Sequence, residues 1–202
     1  MKRADRVPVY VLEAPVCALE LGQGRSTTVC PRCGRGRSVQ TGDLSVELTC
    51  ELRSVWLSSQ NAVLIDSRIS DDVQAAGQVR CRSVIRRWRE GLPYSGTAVP
   101  DLCQLVAEQD IGAAPSSVEF EGCECGAVRR LSFKPLIVRP PEVPGAGAWS
   151  LKENPAVLVI AEGLRDILIR HDSSLAFGRA YFEGEYEPPR ETFEGVRWDD
   201  LG

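Results

Sequence analysis

Ser70-Asp71-Asp72-Val73-Gln74-Ala75-Ala76-Gly77-Gln78-Val79-Arg80-Cys81-Arg82-Ser83-Val84-Ile85-Arg86-Arg87-Trp88 carries the clearest helical pattern in the chain. Ser70 can cap a helix, and Asp71 and Asp72 in its first turn complement the helix dipole. Cys81, Val84, Ile85 and Trp88 follow i, i+3, i+4, i+7 spacing, the apolar stripe of an amphipathic helix. Arg80, Arg82, Arg86, Arg87 and Arg89 crowd the C-terminal half, where positive charge is favoured. Gly91 and Pro93 stop the pattern, and Gly77 weakens its first half. This stretch predicts one main helix over residues 71–90.

Outward from it, the periodicity becomes that of strands. On the N-terminal side, Val7 to Glu13 reads as a strand ended by Pro15, and Arg37-Ser38-Val39 as the returning arm of a hairpin. Asp43 to Trp56 alternates, with Val46, Leu48, Cys50 and Leu52 on one face, and Asn61 to Ile65 is a short apolar strand signal. On the C-terminal side, Pro100 to Glu108 reads as a short helix with Leu102, Leu105 and Val106 inward. Val118 to Phe120, Ala127 to Val138 and Ala156 to Ile160 read as strands, and Gly163 to Arg170 as a helix with Leu164, Ile167 and Leu168 on one face. Pro140 to Gly147 is the best candidate for a linker or exposed loop. The expected fold is α+β: mostly antiparallel strands, one main helix and a zinc-ribbon-like staple of two knuckles, in a single domain spanning residues 1–202.

Composition narrows the class. The chain has 202 residues, enough for one sizeable core or two small ones, and 43% hydrophobic with 26% charged content is ordinary for a globular domain. No apolar run approaches the ~18 residues a membrane span needs. Val7 to Leu12 is too short for a signal peptide, and Pro8 and Glu13 interrupt it. The expected location is the cytoplasm, with no membrane partner. A net charge of -4 argues against nucleic acid as a general partner, because phosphate binding draws on concentrated positive charge.

Eight cysteines need an explanation in a reducing compartment, where clustered thiols point to metal or redox chemistry rather than disulfides. Cys30-Pro31-Arg32-Cys33-Gly34 has the form of a zinc knuckle: two intervening residues let both sulfurs reach one ion, Pro31 stiffens the turn, and Gly34 tolerates positive φ. Cys123-Glu124-Cys125-Gly126 repeats the plan with one residue fewer. Knuckles at 26–39 and 118–130 sit between strand signals, so two hairpin tips can pinch one ion in a single lobe. The expected ligands are Cys30, Cys33, Cys123 and Cys125, holding a structural zinc whose closed shell leaves no position for catalysis and whose binding is coupled to folding. Reduced thiols without metal and redox chemistry are the alternatives. A thioredoxin-like CxxC should open a helix in a βαβ unit, whereas these flanks read as hairpins. Cys17, Cys50, Cys81 and Cys103 are scattered and read as core residues, with Cys103 the candidate replacement should the CxC pair supply one sulfur only.

With these motifs the sequence resembles the double-CxxCG motif family, found as sets of paralogues in myxobacteria. The resemblance rests on CPRCG at 30–34, CECG at 123–126, the overall size and the strand-rich, arginine-rich character between and after them. The second motif here is CxCG rather than CxxCG. Members of that family are described as immunity proteins for swarm-inhibition toxins, polymorphic lipoprotein toxins passed between neighbouring cells. The resemblance implies a cytoplasmic protein that binds and neutralises a cognate protein toxin. It supplies no catalytic residue.

The remaining features are read against simpler explanations. The arginines of 80–89 can dock an acidic partner or nucleic acid, or can simply form a solvated face. The tail from Tyr181 to Gly202 mixes aromatics with acids and suits a basic partner, or is a plain edge strand with a frayed end. His171, the only histidine, reads as a helix-terminal structural residue rather than a general base. The function expected is stoichiometric toxin neutralisation by a protein that is not an enzyme. The rivals are a zinc-ribbon adaptor binding nucleic acid or transcription machinery, and a cysteine-dependent enzyme.

Overall fold

The computed structural model describes residues 8–13, 16–22, 24–50, 53–76, 79–94, 96–120, 122–125, 128–132, 135–141 and 147–186. In chain order the strands are β1 (Val9–Glu13), β2 (Val16–Glu20), β3 (Arg25–Val29), β4 (Gly36–Gln40), β5 (Leu44–Leu48), β6 (Val55–Ser58), β7 (Val63–Asp66), β8 (Val79–Trp88), β9 (Leu102–Ala107), β10 (Asp110–Ile111), β11 (Val118–Phe120), β12 (Val128–Leu131), β13 (Leu136–Val138), β14 (Ala148–Leu151), β15 (Asn154–Ala161) and β16 (Ala176–Phe182). The two α-helices are α1 (Ser70–Ala76) and α2 (Glu162–His171).

The α+β expectation with one main helix is therefore corrected to a β-rich fold, 49% strand against 15% helix among the described residues. Residues 71–90 do not form one helix: α1 ends at Ala76, and Val79–Trp88 is the ten-residue strand β8. The reason lies in its two ends facing different cores. Val79 and Cys81 point into one and Val84 and Trp88 into another, so an odd-to-even switch along a strand imitates helical spacing. Ile85, the fourth member of the supposed stripe, is 59% exposed. Pro100 to Glu108 is likewise no helix but contains β9, which buries both faces and so lacks the alternation that marks a half-exposed strand. The long strands read over 43–56 and 127–138 are each two strands, β5 with β6 and β12 with β13. Ser70 is not the N-cap, since its backbone is already helical (φ -60°, ψ -39°); Asp66 accepts from Arg68 N and caps the 3-10 turn that leads into α1.

Six strands, in the order β2-β5-β8-β9-β7-β6, close into a barrel. Its interior holds Cys17, Ala18, Leu44, Val46, Leu48, Trp56, Leu64, Val84, Trp88 and Leu102. A second six-stranded sheet runs β10-β14-β15-β1-β16-β13. Its edges meet through an Ala113–Val138 bridge, reinforced by Ala114 N donating to Ile137 O and Arg139 N to Gly112 O, both 2.8 Å. This sheet is barrel-like too, filled by Val9, Ile111, Leu136, Val138, Trp149, Leu151, Val157, Val159 and Phe182.

The two sheets share a third apolar layer. Strand pleating sends alternate residues to opposite faces, so Trp56 and Leu64 point into the first barrel while Val55, Leu57, Val63 and Ile65 point out of it. The outward set meets Leu158 and Ile160 of β15, Leu164 and Leu168 of α2 and Val73 of α1. Most neighbouring strands are antiparallel; β2–β6, β5–β8, β10–β14 and β13–β16 are parallel. No helix among the described residues is long and apolar enough to cross a membrane. The linker candidate at Pro140 to Gly147 falls mostly outside the described residues, as does the tail beyond residue 186.

Two hairpins stand apart from both sheets. β3–β4 leaves the first barrel between β2 and β5, and β11–β12 leaves the second sheet between β10 and β13. Each is a two-stranded sheet paired only with itself.

Candidate metal centre

The first hairpin is in register from Arg25↔Gln40 to Val29↔Gly36, which places Cys30 to Cys33 in its tip. Two backbone bonds shape that tip: Cys30 N donates to Arg35 O and Gly34 N to Cys30 O, both 2.9 Å. Gly34 has φ 70°, the left-handed conformation that glycine adopts without a steric penalty. The second hairpin pairs Val118↔Leu131 and Glu119↔Arg130, and carries Cys123 and Cys125 at its end.

The two tips meet. Cys30 Sγ lies 3.7 Å from Cys123 Sγ, and Cys33 Sγ lies 3.6 Å from Cys125 Sγ. All four sulfurs are within 4.8 Å of one another, and no other such group exists among the described residues. Tetrahedral geometry with metal–sulfur bonds of about 2.3 Å sets sulfurs roughly 3.8 Å apart. The four cysteines are therefore close enough to hold a metal ion, and both members of the CxC pair take part. Cys103 is not a substitute: it is 7% exposed on β9, in the layer between the two sheets.

The electrostatics favour the thiolate at Cys30. The Cys30 thiol is lowered to about 6 because the backbone N–H groups of Cys33 and Arg32 point at its sulfur, aided by the Cys125 and Cys123 thiols and opposed by partial burial. Three of the cysteines are half-buried and Cys125 is exposed, so the centre lies at the protein surface. Arg32 Nη1 and Glu124 Oε2, 2.6 Å apart, form an ion pair across the two tips; both are largely exposed, so it adds orientation more than stability.

The roots of the hairpins are anchored differently. Gln40, at the end of β4, exchanges hydrogen bonds with the buried Gln104 of β9. Arg25, at the start of β3, pairs with Glu20 at 2.6 Å, and Glu20 also accepts from Ser58 Oγ at 2.6 Å. Gly24 is required here: at φ 79° its position lies against the Asp43 carbonyl, where a Cβ would collide. On the second hairpin, buried Ser117 accepts from Ile137 N through its hydroxyl and from Ser132 N through its carbonyl, both 2.8 Å. The sequence reading missed these anchors. Arg32 and Glu124 had a local signal, each lying between the cysteines of its knuckle; the glutamine pair, 64 residues apart, had none.

The other residues singled out lie elsewhere. His171 Nε2 is 3.0 Å from Asp72 Oδ2 and ties α2 to α1. Cys81 and Cys103 are neighbours on β8 and β9; their interaction lowers the Cys81 thiol, and together with burial pushes the Cys103 thiol up. Cys17 is inside the first barrel, with Cys50 packed against that core. The arginines of β8 lie along a strand rather than a helix. Arg80 pairs with Glu108, Arg86 with Asp101 and Arg87 with Glu47, while Arg82 and Arg89 are exposed.

Comparison of the sequence with protein-family models gives no match, and comparison with curated proteins gives none.

Proposed function

We propose that the chain is an immunity protein that binds and neutralises a cognate protein toxin of the swarm-inhibition type in the cytoplasm, with a structural zinc at Cys30, Cys33, Cys123 and Cys125. The supporting observation is the convergence of two knuckles, CPRCG and CECG, on one four-sulfur cluster. Those are the motifs on which the family resemblance rests. Zinc suits the donor set, because four thiolates in tetrahedral array select zinc or iron, and a closed shell makes the ion structural. The ion fixes the shape of a surface lobe and performs no reaction. Neutralisation then proceeds by stoichiometric binding that occludes the toxin's active surface or prevents its activation.

The test is a protection assay. The toxin domain encoded beside this gene is expressed in a test bacterium with and without the protein. Specific rescue, absent with an unrelated toxin, supports immunity; failure of rescue with both proteins soluble rejects it. A second reading, a zinc-ribbon adaptor for nucleic acid, is favoured by the exposed Arg82 and Arg89 on and beside β8. It requires DNA or RNA binding that weakens steeply with salt, which a filter-binding titration measures.

A further inference from the structure

We propose that the metal is a clasp between the two barrel-like sheets, loaded and released in the folded protein, rather than a nucleus on which the fold depends. The proposal rests on the metal reading above and deepens it.

The first argument is topological. Cys30 and Cys33 lie on an excursion from the first barrel, and Cys123 and Cys125 on an excursion from the second sheet. One ion therefore joins two bodies that each have a core of their own. Leu44, Val46, Leu48, Trp56 and Leu64 fill the first, and Val9, Ile111, Leu136, Leu151 and Val159 the second, all at 2% exposure or less. Neither core includes a knuckle cysteine.

The second argument concerns what holds the tips. No strand pairing joins the hairpins, since each forms a sheet by itself. β3 is exposed from Ser26 to Val29, so little apolar packing supports it. An isolated two-stranded hairpin is marginal in water. Beside the sulfur cluster, the Arg32–Glu124 ion pair spans the tips, and it is exposed. The roots do not need the metal: Gln40–Gln104, Arg25–Glu20 and the Ser117 bonds anchor them to their own sheets. Loss of the ion thus frees the tips and leaves the roots and both cores in place. Access fits this use, with Cys125 exposed and the other three ligands only half-buried.

The experiment is hydrogen exchange by mass spectrometry on the full chain. The protein is compared with its metal, after removal of the metal by chelator under reducing conditions, and after zinc is added back. Metal content is measured in each sample. The expected result is exchange at least about tenfold faster in peptides covering 26–37 and 118–125 when the metal is gone, under twofold change at 44–48 and 154–161, and full reversal on adding zinc. Tryptophan fluorescence gives a parallel reading, because Trp56 lies inside the first barrel and Trp149 inside the second sheet. A Cys30→Ser, Cys125→Ser double variant should reproduce the metal-free pattern without chelator. Exchange of both cores together with the tips overturns the clasp but leaves the metal site standing. Unchanged tips after measured metal loss also overturn it. A protein that neither contains nor binds zinc on titration overturns the metal reading itself.

Discussion

Gln40 and Gln104 form a closed amide pair in which each side chain donates to the other, at 2.7 and 2.9 Å. Gln104 is 4% exposed, so its amide has no access to water should the partner be lost. The pair fastens the end of a surface hairpin to the wall of a barrel. Gln40→Leu keeps the volume but leaves the buried Gln104 amide without this partner. It should destabilise the protein by about 1–3 kcal/mol in a urea titration while leaving metal content unchanged.

A pair of apolar truncations separates strand from helix in residues 79–88. Leu64, fully buried inside the first barrel, should lose about 2–5 kcal/mol as Leu64→Ala. Ile85→Ala should stay within about 0.5 kcal/mol, since that side chain faces solvent. Were the stretch an amphipathic helix, Ile85 would sit in the core and its truncation would cost as much as Leu64→Ala. Thermal or urea unfolding of both variants decides it.

Much of the fold was legible where a compact apolar run or a regular helical stripe marks the element, as in β1, β7, β15 and α2, even though β7 and β15 send their two faces into different cores. β8 and β9 were not, because their apolar residues are spaced as a helix would space them while facing the barrel interior and the layer between the sheets. Burial on both faces erases alternation, and a change of core partway along a strand counterfeits a helical period. The metal centre was legible because knuckle spacing is local chemistry. Its anchors were not: Gln40 meets Gln104, and Glu20 meets Ser58, only after the barrel has closed.

Asp66 predicts an acid limb of stability. Its carboxylate is 2% exposed and is held below the usual carboxylate range, chiefly by hydrogen bonds from the Arg68 side chain, with the Arg68 backbone N–H adding to it. A depressed folded-state pKa stabilises the protein above the unfolded value of about 3.9. That contribution disappears as pH falls through the lower, folded value. Asp66→Asn should therefore be less stable than the wild type at neutral pH, with the gap narrowing below about pH 4. A gap constant across pH 2–7 would refute the assignment.

The cysteines sort by role. Protein purified without chelator should carry about one zinc per chain. Cys33→Ser or Cys125→Ser should reduce that content severely. Cys103→Ala, within the apolar layer, should leave the metal in place and lower stability instead. Elemental analysis alongside a melting curve reads both effects; full metal content in Cys125→Ser would mean that the CxC pair contributes only one ligand.

β1 opens the chain's described structure yet lies in the middle of the second sheet, between β15 and β16. The first barrel is built wholly from residues 16–107, so it can close as soon as that segment has been synthesised. β1 cannot: Val11 pairs with Val159 and with Gly178, which are synthesised long after it. At translation speeds of roughly 5–20 residues per second, the wait is on the order of 10 s. Through that interval a short apolar strand with both edges unpaired trails from a finished barrel, open to wrong partners. The second sheet is thus completed by late-made strands closing on both sides of an early one.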